Sequence, residues 1–352
     1  MKLLIFGIDG MSMKFIKKHI NKFDLFRKGM EKGCHSSMPA PSKRGDKWNT
    51  SMDMWTCLYT GLNADEHGLG GKYVRDMKNT RAESDAKTLV DLDPKVQERF
   101  FWNILNKIGY KVGLFNGICM SPVFPIDGFV QGSFPQHSNV FFYPKHLSSC
   151  WVPTIAKEGQ PRKINEFAAL GVIDKITTEN VKRVYDTIGY DYFYNGILYT
   201  YSELMAHFET IVNMNNQIPV DVLFYYNLRL DLIQHFSFHD LSDKVIIQGY
   251  QVFETMLMKL IERFNPDNIM IISDHGLERS DAGKAPNIPG AIPVTGIKDT
   301  NISLSINKCV LSGKHSEEAT FILWGKDVKE KGEIKMDIIK SYDKIIEVCK
   351  NE

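Results

Sequence analysis

Nothing in the 352 residues approaches the ~20 consecutive apolar side chains that a membrane-spanning helix needs. The six cysteines (Cys34, Cys57, Cys119, Cys150, Cys309, Cys349) include no CxxC pair and are widely scattered. That spacing argues against a disulfide framework and against a thiolate zinc cluster, so any metal would be held by His, Asp and Glu. Neither sign of charge dominates: Lys+Arg 43 against Asp+Glu 42 leave a net +1. Neither nucleic acid nor an anionic membrane is therefore expected as a bulk partner. There is no internal repeat and no low-complexity tract. The opening MKLLIFGIDGMS has too few apolar residues before Asp9 for a secretory leader, which makes the cytoplasm the expected location. What is present is ordinary globular usage, 43% hydrophobic with Gly 26 and Pro 14, in a length that suits one large domain or two smaller ones.

Short apolar runs alternate with helical patterns, the signature of an α/β fold: a mostly parallel central sheet with helices on both faces. Leu3 to Ile8, 111–116, Asp221 to Asn227, 268–273 and 319–324 read as strands. Residues 96–107, 243–264 and 335–349 carry helical periodicity. The rhythm breaks between about 131 and 215, where aromatics, Pro and Ser are dense before helical patterns return at 177–187 and 196–214. The expected organisation is a core of 1–130 and 216–352 with an inserted cap at 131–215. A second, shorter insertion is expected at 278–312.

Three strands end in loops bearing acids or histidines. The first runs into Asp9, the fourth into Asp274-His275-Gly276, and the third is followed by Asp231 with His235 four residues on. His315 precedes the fifth strand in GKHSEEA. Ligand crevices of open parallel sheets lie beyond the carboxyl ends of the strands, so these side chains are expected to converge despite their separation in sequence. Three carboxylates and three imidazoles form an oxygen/nitrogen donor set suited to zinc or manganese, and two such ions about 3.5–4 Å apart clamp a phosphoryl centre.

The segment from Ser51 to Gly61 (SMDMWTCLYTG), with His67-Gly68 after it, resembles the nucleophile region of the alkaline phosphatase superfamily, in its type I phosphodiesterase/nucleotide pyrophosphatase branch. FGIDG, the Asp231–His235 pair, SDHG and GKHSEEATFILWG resemble that family's other blocks in the same order. The resemblance implies Ser51 as nucleophile, or Thr50 if the register slips by one. It implies one ion held by Asp231, His235 and His315 and another by Asp9, Asp274 and His275, with Ser51 between them. The ions implied are divalent, zinc first and manganese second. Departures are Asp53 where Pro is common and Cys57 in place of Ser. Lys72 stands where the family offers a phosphate-binding Asn. The C/S-x-P-x-R phrase of sulfatases is absent.

The implied chemistry is in-line attack by Ser51 on phosphorus, a phosphoseryl intermediate, and hydrolysis by water, with no histidine general base required. Two divalent ions against three aspartates and one alkoxide leave no net charge. A singly charged phosphodiester or pyrophosphate linkage suits that balance better than a monoester dianion, which would call on extra cations such as Lys72 or Lys314. The expected partner is a small phosphate ester or nucleotide, with no stable nucleic-acid or membrane partner. Cap aromatics such as Phe134, Phe142, Trp151 and Tyr192 offer surfaces for a nucleobase, or simply form the cap's own core. The alternatives on this scaffold are a phosphomonoesterase, phosphonate hydrolase or phosphotransferase. From another class comes a catalytically silent ligand-binding homologue.

Overall fold

A computed structural model describes residues 1–40, 43–44, 47–48, 51–69, 88–133, 140–154, 197–238, 243–279 and 313–350. Apart from a short antiparallel pair, Lys43–Arg44 with Lys47–Trp48, the described strands are β1 (Leu3–Ile8), β2 (Cys34–Pro39), β3 (Val112–Phe115), β4 (Gly128–Ser133), β5 (Val140–Tyr143), β6 (Val222–Asn227), β7 (Asn268–Ile272), β8 (Gly276–Arg279), β9 (Gly313–Ser316), β10 (Glu318–Gly325) and β11 (Gly332–Glu333). Nine of them form one sheet in the order β11-β2-β10-β7-β1-β6-β3-β4-β5. The five inner strands, β7-β1-β6-β3-β4, are parallel throughout. Antiparallel β10 and β5 flank this block. β8 and β9 make a separate antiparallel pair.

Every residue of β1, β6 and β7 is buried, as expected of parallel strands covered on both faces. One core holds side chains of α1 (Met13–Lys18), α2 (Asp24–Lys32), α7 (Ile197–Gln217) and α9 (Lys244–Phe264). The other holds α3 (Ser51–Thr60), α6 (Phe101–Lys107) and α10 (Ile338–Lys350). The shorter helices are α4 (Ala64–His67), α5 (Pro94–Gln97) and α8 (Arg229–Ser237). The α/β architecture read from the sequence is thus the observed one.

The helix expected over 96–107 is two pieces. Asp93 caps α5 through Lys95 N–H with Pro94 in its first turn, and Phe100 is extended (φ −49°, ψ 130°) before α6 begins. The break lets successive aromatics bury: Phe100 stacks on Trp102 with ring centroids 4.5 Å apart, while Phe101 meets Trp102 edge on.

Elements assigned to the cap at 131–215 also sit in the sheet. β4 and β5 are its outermost strands on that side, and α7 covers one face against α9. Phe142 and Trp151 pack edge to face against that core. Aromatic-rich β5 reads like loop because its pattern is half-buried rather than alternating. Residues 155–196, with the helix expected at 177–187 and Tyr192, lie outside the described residues, as do Phe134 and 280–312. No described helix is long and apolar enough to cross a membrane. The five described cysteines are all buried.

Candidate metal centre

The carboxyl ends of the inner strands bring the acids and histidines together. Asp9 follows β1 and Asp274-His275 follow β7, its neighbour in the sheet. Asp231 and His235 lie four residues apart on α8, and so on one face of that helix. His315 comes from β9, opposite Leu277 of β8.

One group is Asp9, Asp274 and His275, all buried. His275 Nε2 lies 3.2 Å from Asp9 Oδ1 and 3.4 Å from Asp274 Oδ2. Ser51 Oγ is 3.3 Å from the same nitrogen, at the start of the ten-residue helix α3. In the second group His235 Nε2 lies 3.3 Å from Asp231 Oδ1 and 3.1 Å from His315 Nε2, and His315 Nε2 is 3.5 Å from Asp231 Oδ1. The groups adjoin: ligand atoms of Asp231, His275 and His315 lie within 4.8 Å of one another, and the His275 and His315 rings stack at 3.8 Å.

Three observations fit this set to cations. Asp274 is fully buried, yet neither of its oxygens makes a hydrogen bond of normal geometry to the described residues. A buried carboxylate without such bonds is costly unless a cation neutralises it. Next, His235 Nδ1 is 3.1 Å from the Gly313 carbonyl and His275 Nδ1 is 3.1 Å from the Gly276 carbonyl. Those carbonyls assign the proton to Nδ1 and aim each Nε2 lone pair at the acids, the arrangement of metal-bound histidine. Finally, the 3.1–3.5 Å separations match the roughly 3.3 Å edge of a tetrahedron with zinc–ligand bonds of about 2.0–2.1 Å.

The local charges follow the same logic. Burial, then the Asp9 carboxylate, pushes the Asp274 carboxyl upward. Burial would neutralise His275, but Asp274 and Asp9 outweigh it and raise the imidazole, which then supplies the positive charge the acids require. Asp231, half-buried, is held well below the usual carboxylate range by His235 and His315 against the opposing pull of desolvation.

Neighbouring side chains fix the scaffold. Tyr226 Oη donates to Asp9 Oδ2 at 2.6 Å, and Trp55 Nε1 approaches the same oxygen at 3.4 Å. Gln234 Nε2 donates to the Gly10 carbonyl at 2.7 Å, while its Oε1 accepts from Tyr250 Oη at 3.2 Å. Tyr250 Oη in turn accepts from Ser12 N–H at 2.9 Å. Gly10 has φ +74°, and a Cβ there would come within 2.9 Å of the Asp231 backbone. Sequence reasoning did not single out Tyr226, Trp55, Gln234 or Tyr250 as support. Only Trp55, one turn after Ser51, and Gln234, beside His235, carried a positional signal.

Thr50 and Lys72 lie outside the described residues. Lys314 pairs with Glu278 at 3.2 Å, and both side chains are well exposed. His67 is buried, with Nε2 3.2 Å from the Asp53 carbonyl and Nδ1 accepting from Leu69 N–H, so it braces the first turn of α3.

A family model described as type I phosphodiesterase / nucleotide pyrophosphatase matches residues 3–314. No curated protein matches the chain.

Proposed function

The chain belongs to the type I phosphodiesterase / nucleotide pyrophosphatase family, and from that premise we propose that it is a two-metal hydrolase cleaving a phosphodiester or nucleotide pyrophosphate bond through a phosphoseryl intermediate. The family is one of metal-dependent hydrolases. The observation that carries the finer reading is the Ser51 hydroxyl 3.3 Å from His275, where the two acid–imidazole groups adjoin.

Asp231, His235 and His315 would hold one divalent ion, and Asp9, Asp274 and His275 the other, with zinc favoured over manganese by the imidazole content. Bound there, the ions would supply Lewis-acid polarisation of the phosphoryl oxygens and a lowered pKa for the Ser51 hydroxyl. Ser51 attacks phosphorus, forming the Oγ–P bond as the bond to the leaving oxygen breaks. Water then attacks from the opposite side and restores the hydroxyl. The amino end of α3 favours the anionic oxygens beside Ser51. His275 and His235 keep their protons at Nδ1 on backbone carbonyls, so neither acts as a general base through that atom.

Two divalent ions against Asp9, Asp231, Asp274 and the Ser51 alkoxide would leave no net charge, a balance that suits a singly charged ester better than a monoester dianion. We assign substrate specificity to the 131–215 region, and phosphate binding to Lys72. The test compares a bis-aryl with a mono-aryl phosphate after zinc or manganese loading. Faster turnover of the diester, abolished in Ser51→Ala, is expected. Preference for the monoester would move the assignment to a phosphomonoesterase. Unchanged turnover in Ser51→Ala would remove the covalent step altogether.

A further inference from the structure

Asp9 is gripped from one side only. Its Oδ2 takes the Tyr226 hydroxyl at 2.6 Å and lies 3.4 Å from Trp55 Nε1, while Oδ1 faces His275 Nε2 at 3.2 Å. Tyr226 is buried, and with a carboxylate oxygen as its partner the hydroxyl is the donor. Trp55 reaches Asp9 because β1 is hollowed beneath it: a Cβ on Gly7 would strike the Trp55 ring at 2.8 Å. Gly7 pairs with Tyr226 in the sheet, and the Trp55 and Tyr226 rings meet edge to face at 5.0 Å. Trp55 also lies four residues after Ser51, on the same face of α3.

Resting on the two-metal reading, we propose that Tyr226 and Trp55 are positioning residues that occupy Asp9 Oδ2, dedicate Oδ1 to the metal centre as a single-oxygen ligand, and set the Ser51 helix in register with it. A buried tyrosine hydroxyl needs some partner, and a core-packing role would be met by any acceptor. Here the acceptor is the one oxygen whose release would let the carboxylate rotate or bind through both atoms. Outer-sphere hydrogen bonds of this kind typically alter metal affinity or activity about 10- to 100-fold.

The test uses the full chain with Tyr226→Phe, which keeps the ring and deletes the hydroxyl, and Trp55→Phe, which deletes the weaker donor. Zinc affinity is measured by competition with a chromophoric chelator, and coordination by the visible spectrum of the cobalt-loaded protein. Thermal melting of the chelator-treated proteins confirms folding. For Tyr226→Phe, one of the two zinc sites should weaken about 10- to 100-fold and the cobalt bands should shift, with the other site unchanged. Trp55→Phe should move the same site in the same direction by less. Wild-type affinity and spectrum in folded Tyr226→Phe would overturn the proposal and leave the two-metal reading standing. If Tyr226→Phe does not fold, the Trp55→Phe spectrum decides: unchanged bands overturn the proposal. A wild-type chain that binds neither zinc nor cobalt would overturn both.

Discussion

Asp274 concentrates the electrostatic cost of the centre in one side chain. It is fully buried, makes no hydrogen bond of normal geometry to the described residues, and sits beside Asp9. Replacing it with Asn removes the charge and keeps the shape. Asp274→Asn should therefore abolish tight binding at one ion site. The chelator-treated variant should melt close to chelator-treated wild type, since the cost of burying the Asp274 carboxylate offsets its pairing with His275. Calorimetry with and without zinc reads both outcomes. Gly10 makes the opposite kind of demand. Its positive φ and the 2.9 Å approach of the Asp231 backbone leave no room for a methyl group, so Gly10→Ala should destabilise by about 1–3 kcal/mol in urea denaturation and displace Asp231. Tyr226 illustrates what a sequence withholds at this scale. In a fully buried apolar strand its hydroxyl looks like one more core aromatic, and only the register β1–β6, which sets Tyr226 beside Gly7, shows that it reaches Asp9.

Between elements, two polar devices tie the helices on one face of the sheet. The first turn of α2 has no side-chain cap of its own. Instead Glu254 of α9 accepts the N–H groups of Leu25 and Phe26, both at 2.8 Å on Oε1. Burial pushes the Glu254 carboxyl up to about 7, against which those two bonds pull only in part. A carboxyl raised on folding contributes stability that is complete below the ordinary glutamate range and is lost as pH rises toward 7. Glu254→Gln keeps the acceptor oxygen without the charge. Its melting temperature should be flatter than that of wild type between about pH 4 and 8, and should equal or exceed it at the alkaline end. The second device is the Glu203–Arg229 pair, in which Arg229 Nε and Nη2 both meet Glu203 Oε2, at 3.0 and 2.6 Å, between α7 and the start of α8. Glu203→Ala removes the carboxylate that meets two nitrogens of buried Arg229, two residues from Asp231, and should cost about 3–5 kcal/mol in equilibrium denaturation. Neither device was legible in the sequence, because each pairs residues on separate helices whose packing no periodicity encodes. The parallel strands were legible, since apolar runs covered on both faces have few alternatives. The edges were not: β4 and β5 carry Gly, Ser and exposed aromatics, the composition of a loop.

At the level of the whole molecule, the proposed ligands are drawn from residue 9 to residue 315, so one ion would cross-link α8 to β9 and the other β1 to the end of β7. A cation that binds only the folded chain stabilises it by mass action, by about 4 kcal/mol for each site at a thousandfold excess over Kd. Zinc should raise the melting temperature in a concentration-dependent manner and chelator should reverse the rise; a melting curve indifferent to both would contradict a metal centre of this span. The gathering of these residues could be anticipated from sequence because each follows a strand of one sheet, where topology alone forces proximity. Which oxygen or nitrogen faces inward could not, because that depends on hydrogen bonds made across the sheet. His315 is the exception among the ligands, for it belongs to the separate β8–β9 ladder rather than to the main sheet. It lies across from Leu277, with Lys314 and Glu278 paired on the outer side. Side chains alternate along such a ladder, so sliding β9 by one step would exchange the imidazole for an ammonium group at the mouth of the centre. The parity of the four-residue ribbon carrying His315 is thus as much a requirement of the centre as the imidazole itself.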